Sequence, residues 1–584
     1  MKRTNRILNK KFSHYLIPAM LTTAALSLSE FVDSMIVANL LGSEAMSIIQ
    51  LGMPIMLIAA TAYILIGNGG STLYAIYLGK HENEKAGKIF GLSAISSIII
   101  GFALLLLGLL LFKPLASVLC RTSELAEDFG KYLMTLLFSV PFLVITLSLV
   151  SFLAPAGAPQ ISTVVNIIAN VVNVGMDYVY IHFFDMGVSG AALATLTGYV
   201  VGAIPLFIAI FSKKIGLKKQ MPKKQDIKIL KEIIGTGRSG SASQLGFAIR
   251  TAFCNWLAIH FGGIAGVVSI SICIQAWSIV SIFMSAVVEA ASPIIGMLHG
   301  QQDYKGESNV LKIGLLYQFI MLGLCTVFFE FFPQIFAHIY SVNDEEILLM
   351  SNFALRLFAI SLLIRGFYIV FMKYIQILGF KKYALFISLF DGFAGIIPIS
   401  YIFSFTLGIE GFWISFPATS AILLIICIVS NFVFAKKSNG RLKGLLLEEQ
   451  NTEEPTIVDI TIFESDKNIV DASENVMKIC SDYGIDKKTS TTLALIVEES
   501  VLYTKNRSKT QKKHDYIDIL LRIYENKIKI SFRSLHSGAN PEYKDGRDIE
   551  ENIKVLESIS DKIEYDYIMG MHCMYITLNK NKSC

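Results

Sequence analysis

The stretch MKRTNRILNKKFSHYLIPAMLTTAALSLSEFVDSMIVANLL, residues 1–41, decides the fold, because 13 residues with five Lys or Arg precede 28 largely apolar ones. A helix needs about 20 apolar residues to cross a bilayer. The apolar part therefore predicts a membrane-spanning helix. The basic part carries no cleavage site for a signal peptide and predicts a cytoplasmic flank.

Eleven further apolar stretches resemble the first. With 53% hydrophobic and 17% charged residues, the chain is too apolar for a soluble globular protein. The spans that we predict are 14–41, 47–78, 87–112, 131–153, 160–181, 188–211, 236–259, 267–297, 313–337, 351–376, 384–406 and 411–435. The chain is thus expected to be a multi-pass protein of the cell membrane with a lipid bilayer as its surroundings.

The basic residues alternate between the gaps that separate these spans. One set of gaps holds 24 Lys and Arg, and the opposite set holds only Lys113, Arg121 and Lys131. The basic gaps are 1–13, 79–88, 154–160, 212–232, 299–312, 379–383 and 436–443. The positive-inside rule therefore places both termini in the cytoplasm. The net charge of +5 follows from these loops and gives no reason to expect a nucleic-acid partner.

After Lys443 the chain changes character. We assign 444–456, which contains the acidic run EEQNTEEPT, to a linker, and 457–584 to a small cytoplasmic α+β domain. Within it, IVDITI, YIDILLRIY and KIKISFRS predict strands, and SENVMKICSDYG predicts a helix that ends at Gly484. About 130 residues suffice for one such core.

An internal repeat organises the membrane part. Segment 67–91 has a counterpart at 289–314, and GVSGAALATLTG at 187–198 matches GIEGFWISFPAT at 408–419. Residues 1–225 and 226–443 are therefore predicted to form two six-helix lobes. Since six is even, the lobes are parallel repeats, an arrangement that suits a transporter with a central cleft.

Three dispersed segments carry a family resemblance: LIPAMLTTAALSLSEFVDSMIVANLLGSEAM, NVVNVGMDYVYIHFFDMGVSGAALAT and LLIRGFYIVFMKYIQILGFKKYALFISLFDGFAGIIPISYIFSF. Over about residues 12–436 the chain resembles the multidrug and toxic compound extrusion family of secondary antiporters. The resemblance implies an all-α fold of twelve transmembrane helices. It also implies export of small organic, often cationic compounds by alternating access in exchange for H⁺ or Na⁺, with no other cofactor.

Polar residues inside the spans indicate where coupling occurs, because a carboxylate in hydrocarbon is costly unless it is paired, protonated or bound to an ion. Asp33 lies in span 1, Asn173 and Asp177 lie one helical turn apart in span 5, and Thr195 lies in span 6. These four match the cation site in the N-terminal lobe of archaeal-type members of the family. Their oxygen atoms suit Na⁺, and either carboxylate could instead carry a proton.

Each of these residues also has a structural interpretation. Asp33 could be an ordinary buried carboxylate, and Asn173 with Asp177 could be a helix-packing pair. Thr195 could hydrogen-bond only to its own helix. Glu30, one turn before Asp33, either shares the cavity or pairs with an arginine.

The second lobe contains more charges inside its spans. For most of them we expect structural salt bridges, and Arg365 with Asp391 could also line the cavity. The charged residues are Arg250, Glu289, Arg356, Arg365, Lys373 and Asp391. Some members of the family carry essential acids in spans 7 and 10, where this chain has Phe247 and Phe367. The coupling site is therefore predicted in the first lobe.

The predicted cytoplasmic domain resembles the histidine-kinase-like ATPases in their anti-sigma-factor form, through TLALIVEESVLYTKN, ISFRSLHSGANPEY and IKVLESISDKIEYDYIMGMHCMYITL. Glu499 matches the catalytic Glu of that family. Tyr503 replaces the Mg²⁺-binding Asn, Ser534 and His536 replace the adenine-binding D-x-G element, and Asn552 replaces a lid Gly. We therefore expect that this domain keeps the ATPase fold but has lost the nucleotide site. We also expect that it regulates the membrane part by binding a cytoplasmic protein partner.

Two alternatives remain open from the sequence. The first is a membrane-anchored signalling ATPase or kinase, in which the soluble domain works on ATP. The second is a flippase for lipid-linked precursors, for which a strongly cationic central cleft is expected.

Overall fold

The computed structural model describes residues 6–41, 43–119, 126–212, 215–334, 345–438, 440–449, 456–463, 466–509, 516–535 and 547–579. Most of this chain is helical. Five strands near the C-terminus form the larger of its two sheets.

The first helical half spans residues 6–212, and its described residues, 6–41, 43–119 and 126–212, form eight helices. They are α1 (Arg6–Leu41), α2 (Ser43–Tyr63), α3 (Gly69–Gly79), α4 (Asn83–Leu110), α5 (Phe112–Leu119), α6 (Ala126–Val150), α7 (Pro159–Tyr178) and α8 (Val188–Phe211). A π-helical turn, Ile64–Asn68, joins α2 to α3, and a second one, Val179–Phe183, extends α7. The apolar runs form long helices because a helix satisfies all of its own backbone hydrogen bonds in hydrocarbon.

The second helical half spans residues 227–437, and its described residues, 227–334 and 345–437, form five helices. They are α9 (Ile227–Gly300), α10 (Tyr304–Phe331), α11 (Glu345–Ile377), α12 (Lys381–Leu389) and α13 (Ile396–Lys437). A π-helical turn, Phe390–Ala394, joins α12 to α13. Helix α9 packs against α1 and α3, and so forms much of the contact between the halves.

Nine helices or runs of helix among the described residues are long and apolar enough to cross a membrane. The prediction of a helical multi-pass fold is therefore confirmed in its general form. Its count of twelve spans stays a prediction.

Three glycines interrupt the helices where the sequence predicted gaps between spans. Gly187 precedes α8 with φ 55° and ψ −143°. Gly263 within α9 has φ 54° and ψ −139°, and Gly408 within α13 has φ 66° and ψ −146°. Only glycine adopts this conformation without strain. Gly187 and Gly408 are also the first residues of the two segments that we matched as a repeat.

The other repeated segments form loops of equal shape. In the first loop His81 has φ 63° and its amide donates to Leu78 O, and in the second Gln302 has φ 57° and its amide donates to His299 O. We call these the first loop, residues 80–83, and the second loop, residues 301–304, and the face that carries them the basic face.

The two halves meet tightly beside these loops. A Cβ added to Gly79 would lie 2.0 Å from the carbonyl oxygen of Met297, and one added to Gly300 would lie 2.0 Å from that of Ile76. No side chain fits at either glycine. The helical halves are therefore in backbone contact at the basic face.

A short ribbon, β1 (Leu442–Lys443) and β2 (Glu448–Glu449), follows α13. The C-terminal unit, residues 456–579, then forms an antiparallel sheet in the order β3-β4-β5-β7-β6. Its strands are β3 (Thr456–Phe463), β4 (Tyr516–Ile523), β5 (Lys527–Ser534), β6 (Lys562–Ile568) and β7 (Met571–Asn579), and its helices are α14 (Asp466–Asp482), α15 (Lys487–Lys509) and α16 (Arg547–Ile559).

The C-terminal unit has its own apolar core, in which Val476, Val497 and Ile530 are fully buried. The three strands predicted from the sequence lie at β3, β4 and β5. The predicted helix corresponds to α14, which begins at Asp466, seven residues earlier than expected, and ends before Gly484 at φ 67°. That positive φ is the usual glycine signal for the end of a helix.

Candidate functional site

A polar cavity of ≈ 220 Å³ lies between the two helical halves. The first half contributes the hydroxyl and amide groups of Thr22, Tyr63, Asn68, Ser71, Thr72, Ser151, Ser162 and Asn166. The second half contributes two charged side chains, Glu289 of α9 and Lys373 of α11. Such a cavity can hold a small molecule with polar groups on one side and a charge on the other.

The two charges in this cavity are held differently. Lys373 Nζ donates to Thr72 Oγ1 at 3.1 Å, a hydrogen bond that crosses from the second half to the first. Glu289 is solvent-accessible in the cavity, and no described side chain forms a hydrogen bond or ion pair with it. Its carboxylate is therefore available to a ligand or a proton.

The structure brings together two residues of the predicted coupling site. Asn173 of α7 donates from Nδ2 to Thr195 Oγ1 of α8 at 3.5 Å. Thr195 also donates to the carbonyl of Ala191, the backbone hydrogen bond that the structural interpretation expected. Asp177 lies one turn beyond Asn173 and is fully buried, with 0% exposure.

The side chains of Glu30 and Asp33 lie outside the described residues, although both positions belong to α1. One turn further along α1, Val37 packs against Ile181 and Ala191. These three residues lie one turn from positions 33, 177 and 195, respectively. The backbone thus places position 33 at the level of Asp177 and Thr195.

Arg365 and Asp391 form an ion pair in the second half. Arg365 Nη2 lies 2.7 Å from Asp391 Oδ2, and the Tyr368 hydroxyl donates to Asp391 Oδ1. The Arg365 guanidinium also lies 4.4 Å from the centre of the Trp277 ring. The two charges neutralise each other, and Tyr368 and Trp277 cover them. The pair therefore has the geometry of a structural salt bridge.

The remaining charged residues of the second half lie outside this ion pair, although Arg250 interacts electrostatically with Asp391. The Arg250 guanidinium lies 5.1 Å from the centre of the Phe247 ring, and Arg356 is exposed. The sequence predicted salt bridges for most of the charges in this half. Glu289 and Lys373 attract each other electrostatically, but they form no salt bridge among the described residues. Their charge inside apolar spans was the signal available, but only tertiary packing shows that they face a cavity.

The region that corresponds to the predicted nucleotide site is nearly filled. Asn552 Nδ2 donates to Glu499 Oε2 at 2.6 Å. Tyr503 and Ser534 are buried and line a cavity of ≈ 20 Å³, which is room for about one water molecule. His536 lies outside the described residues. The described residues of this region thus show a water-sized cavity beside Tyr503 and Ser534.

A family model, MatE, matches this chain twice, over residues 18–179 and 241–402, and the two matches together cover more than half of its length. The multidrug export protein MepA of Staphylococcus saprophyticus is 24% identical over 407 residues, which are 69% of this chain and 88% of that protein. The MepA protein of Staphylococcus aureus is 24% identical over 411 residues, with the same shares covered.

Solved structures show the same fold. A MATE protein crystallised in complex with MaL6 superposes with a TM-score of 0.67 at 22% identity, over 74% of this chain and 96% of the other. A MOP superfamily transporter from Pyrococcus furiosus, described as having a binding pocket of reverse polarity, superposes with a TM-score of 0.66 at 22% identity, over 74% and 95%.

Proposed function

The chain belongs to the MatE family of multidrug efflux transporters, and from that premise we propose that it exports organic cations in exchange for H⁺ or Na⁺ by alternating access. Export is driven by the ion gradient, and no other cofactor takes part. We further propose that residues 1–225 and 226–443 form two lobes of six spans each, with both termini in the cytoplasm. The basic face is then the cytoplasmic face.

One observation carries this proposal: a fully buried carboxylate, Asp177, lies one turn from the Asn173–Thr195 contact inside apolar helices. A buried carboxylate is stable only when it is protonated, ion-bound or compensated by polar neighbours. Binding or release of a proton or of Na⁺ at this place changes the charge of the site by one unit. Such a site can therefore couple ion entry to a conformational change.

Position 33 completes the proposed coupling site. Because position 33 lies at the same level of the helices as Asp177 and Thr195, we propose that Asp33 adds a second carboxylate to this cluster. Two carboxylates, an amide and a hydroxyl form an all-oxygen set, which Na⁺ favours, and two nearby carboxylates also favour uptake of one proton. Ion or proton uptake here is expected to shift α1 against α7 and α8.

The cavity between the halves supports an organic cation as substrate. Glu289 provides a carboxylate, and the hydroxyl and amide groups of the opposite wall provide hydrogen-bond partners. Lys373, which is hydrogen-bonded to Thr72, adds a charge of opposite sign. The charges of the cavity are thus mixed, in contrast to the strongly cationic cleft expected of a flippase for lipid-linked precursors.

A membrane-anchored ATPase or kinase has less support. The described part of the predicted nucleotide region holds a cavity of only ≈ 20 Å³, whereas ligand pockets commonly measure about 300–1,000 Å³. We propose that the C-terminal unit is a degenerate ATPase-like domain that regulates transport.

Transport in proteoliposomes tests the proposal. The full chain should export a fluorescent organic cation when a H⁺ or Na⁺ gradient is imposed, and Asp33→Asn should abolish this export while the protein keeps its melting temperature. Asp185→Asn is the matched control, because Asp185 is an exposed carboxylate in the loop before α8. Unimpaired export by Asp33→Asn would refute the coupling site.

A further inference from the structure

The tip of the β6–β7 hairpin, residues 568–571, is buried in the helical part. Met569 and Gly570 have φ 55° and 73°, as in a two-residue hairpin turn, yet Ile568, Met569 and Met571 are each only 1% exposed. Hairpin turns usually face solvent. In this chain Ile568, Met569 and Met571 belong to one apolar cluster with residues of the helices, so the hairpin tip is a docking element.

The hairpin tip contacts the first half. The Tyr15 hydroxyl donates to the carbonyl of Ala154 at 2.9 Å and approaches that of Met569 at 3.3 Å. A Cβ added to Gly157 would lie 2.5 Å from the amide nitrogen of Gly570. The hairpin backbone therefore fits against this half without intervening side chains.

Asp566, at the base of the hairpin tip, binds the first loop. Its carboxylate accepts from Asn83 Nδ2 at 2.8 Å and from Lys218 Nζ at 3.0 Å, and it lies 3.2 Å from His81 Nδ1. Asp566 is 4% exposed. A buried carboxylate with three polar neighbours is a specific contact, because the loss of a neighbour removes part of the compensation for its charge.

The neighbouring strands of the same sheet bind the second loop. Arg533 of β5 pairs with Asp303 at 2.5 Å, with side-chain exposures of 3% and 1%, and donates to Gln301 Oε1 at 3.0 Å. Gln301 Nε2 in turn donates to the Tyr575 hydroxyl at 2.8 Å, and Arg522 donates to the Gln301 carbonyl.

One rigid sheet therefore holds both loops at the place where the helical halves touch through Gly79 and Gly300. We propose that the C-terminal unit is an autoinhibitory latch that keeps the basic face closed, and that it must release one loop before that face can open. This inference rests on the alternating access proposed above. Because the two loops are held by separate residues, loss of either contact should release the latch.

Distance measurements on the full chain test the latch. Spin labels on non-natural amino acids at Glu84 of α4 and Lys382 of α12, both exposed, report the separation of the halves at the basic face and leave the native cysteines in place. Arg533→Gln removes the contact with the second loop. Met569→Asp disrupts the hairpin tip, and Asp tolerates a positive φ better than most residues.

Lys487→Gln and Met477→Asp are the matched controls, because both side chains are exposed on the C-terminal unit. We expect the unmodified chain to show one short distance. Each latch variant should raise the population at longer distance at least threefold and the export rate at least twofold, and the controls should change neither.

A distance distribution unchanged in Arg533→Gln would overturn the proposal, and this variant carries the test alone if Met569→Asp does not fold. The distances are recorded without substrate or ion gradient. Failure of the proposed export would therefore leave the distance result standing, and an unchanged distance in an active exporter would refute only the latch.

Discussion

Thr195 and Phe416 occupy corresponding positions, each eight residues after a glycine of the same backbone conformation, Gly187 or Gly408. Thr195 approaches Asn173, whereas Phe416 packs against the rings of Phe358 and Phe412 at 5.4 and 5.3 Å. The same backbone thus carries a polar cluster in the first half and an aromatic cluster in the second. The two halves therefore share a backbone conformation at this place but differ in the chemistry of their side chains.

The charges follow the same division. In the first half the carboxylate of Asp177 is fully buried one turn from the Asn173–Thr195 contact, whereas in the second half Asp391 is matched by Arg365 at 2.7 Å. A matched pair resists a change of charge, whereas the coupling proposed at Asp177 requires one. Stability and transport should therefore respond to opposite halves.

The largest effect is expected when the pair in the second half is broken. Asp391→Ala leaves the guanidinium of Arg365 uncompensated at 12% side-chain exposure and should lower the free energy of unfolding by about 3–5 kcal/mol. Thermal melting of the protein in detergent measures this change. The double variant Arg365→Met/Asp391→Leu removes both charges and should melt close to the unmodified chain. If Asp391→Ala melts at the same temperature as the unmodified chain, the pair is not a structural salt bridge.

Asp177→Asn should have the reverse profile. We expect a loss of ion-driven export of about a hundredfold, which corresponds to about 2.7 kcal/mol, because the amide keeps the shape but cannot change its charge. The melting temperature should stay nearly constant, since the variant buries no new charge. Export is measured in proteoliposomes beside Asp185→Asn. A destabilised variant with normal export would erase the proposed difference between the halves.

The contact of the C-terminal unit with the first loop should depend on acid. Burial opposes the charge of Asp566, but the hydrogen bond from His81, the charge of Lys218 and the hydrogen bond from Asn83 prevail and lower its pKa from 3.8 to about 2. Because the pKa of Asp566 is lower in the docked state, its ionised form stabilises docking at any pH above the ordinary carboxyl pKa. This contribution of about 2 kcal/mol is lost as the pH falls from about 4 through 2.

Energy transfer between dyes at Lys488 and Glu84 would follow this undocking, because both side chains are exposed. In Asp566→Asn the change between pH 4 and 2 should shrink, while Arg533, which binds the second loop, should retain its contact with Asp303. A pH profile that is identical in Asp566→Asn would assign the acid sensitivity to another group.

The smallest effect is expected at Thr195. Thr195→Ala removes a long neutral hydrogen bond and should raise the ion concentration for half-maximal export about threefold, in line with about 0.6 kcal/mol for such a bond. Thr195→Ser should restore the original value, and Phe416→Leu should leave it unchanged. An equal shift in Phe416→Leu would remove the distinction between the two clusters.

The sequence predicted what depends on local pattern. Apolar length predicted the spanning helices, and Gly187 and Gly408 marked the predicted gaps because only glycine tolerates their backbone. Alternating apolar residues predicted β3, β4 and β5. These features follow from neighbours in the chain, so that one stretch at a time suffices to find them.

Features that depend on packing between distant segments escaped prediction. Glu289 and Lys373 carry opposite charges in predicted spans, and nothing in their spacing shows that they face one cavity without forming a pair. Met569 and Gly570 form a turn that most proteins expose, and no local signal shows that it is buried against Tyr15. In both cases the answer depends on segments hundreds of residues away.

The two loops at the basic face have one backbone shape but unlike side chains, and this inequality fixes how the C-terminal unit can bind. A surface with two similar loops offers two docking orientations, related by half a turn. In the alternative orientation Asp566 would meet Asp303, so that two carboxylates would face each other, and Arg533 would lose its acidic partner. Charge thus selects one of two geometrically similar docking orientations. The two loops have equal backbones, and their side chains alone determine which way the C-terminal unit binds.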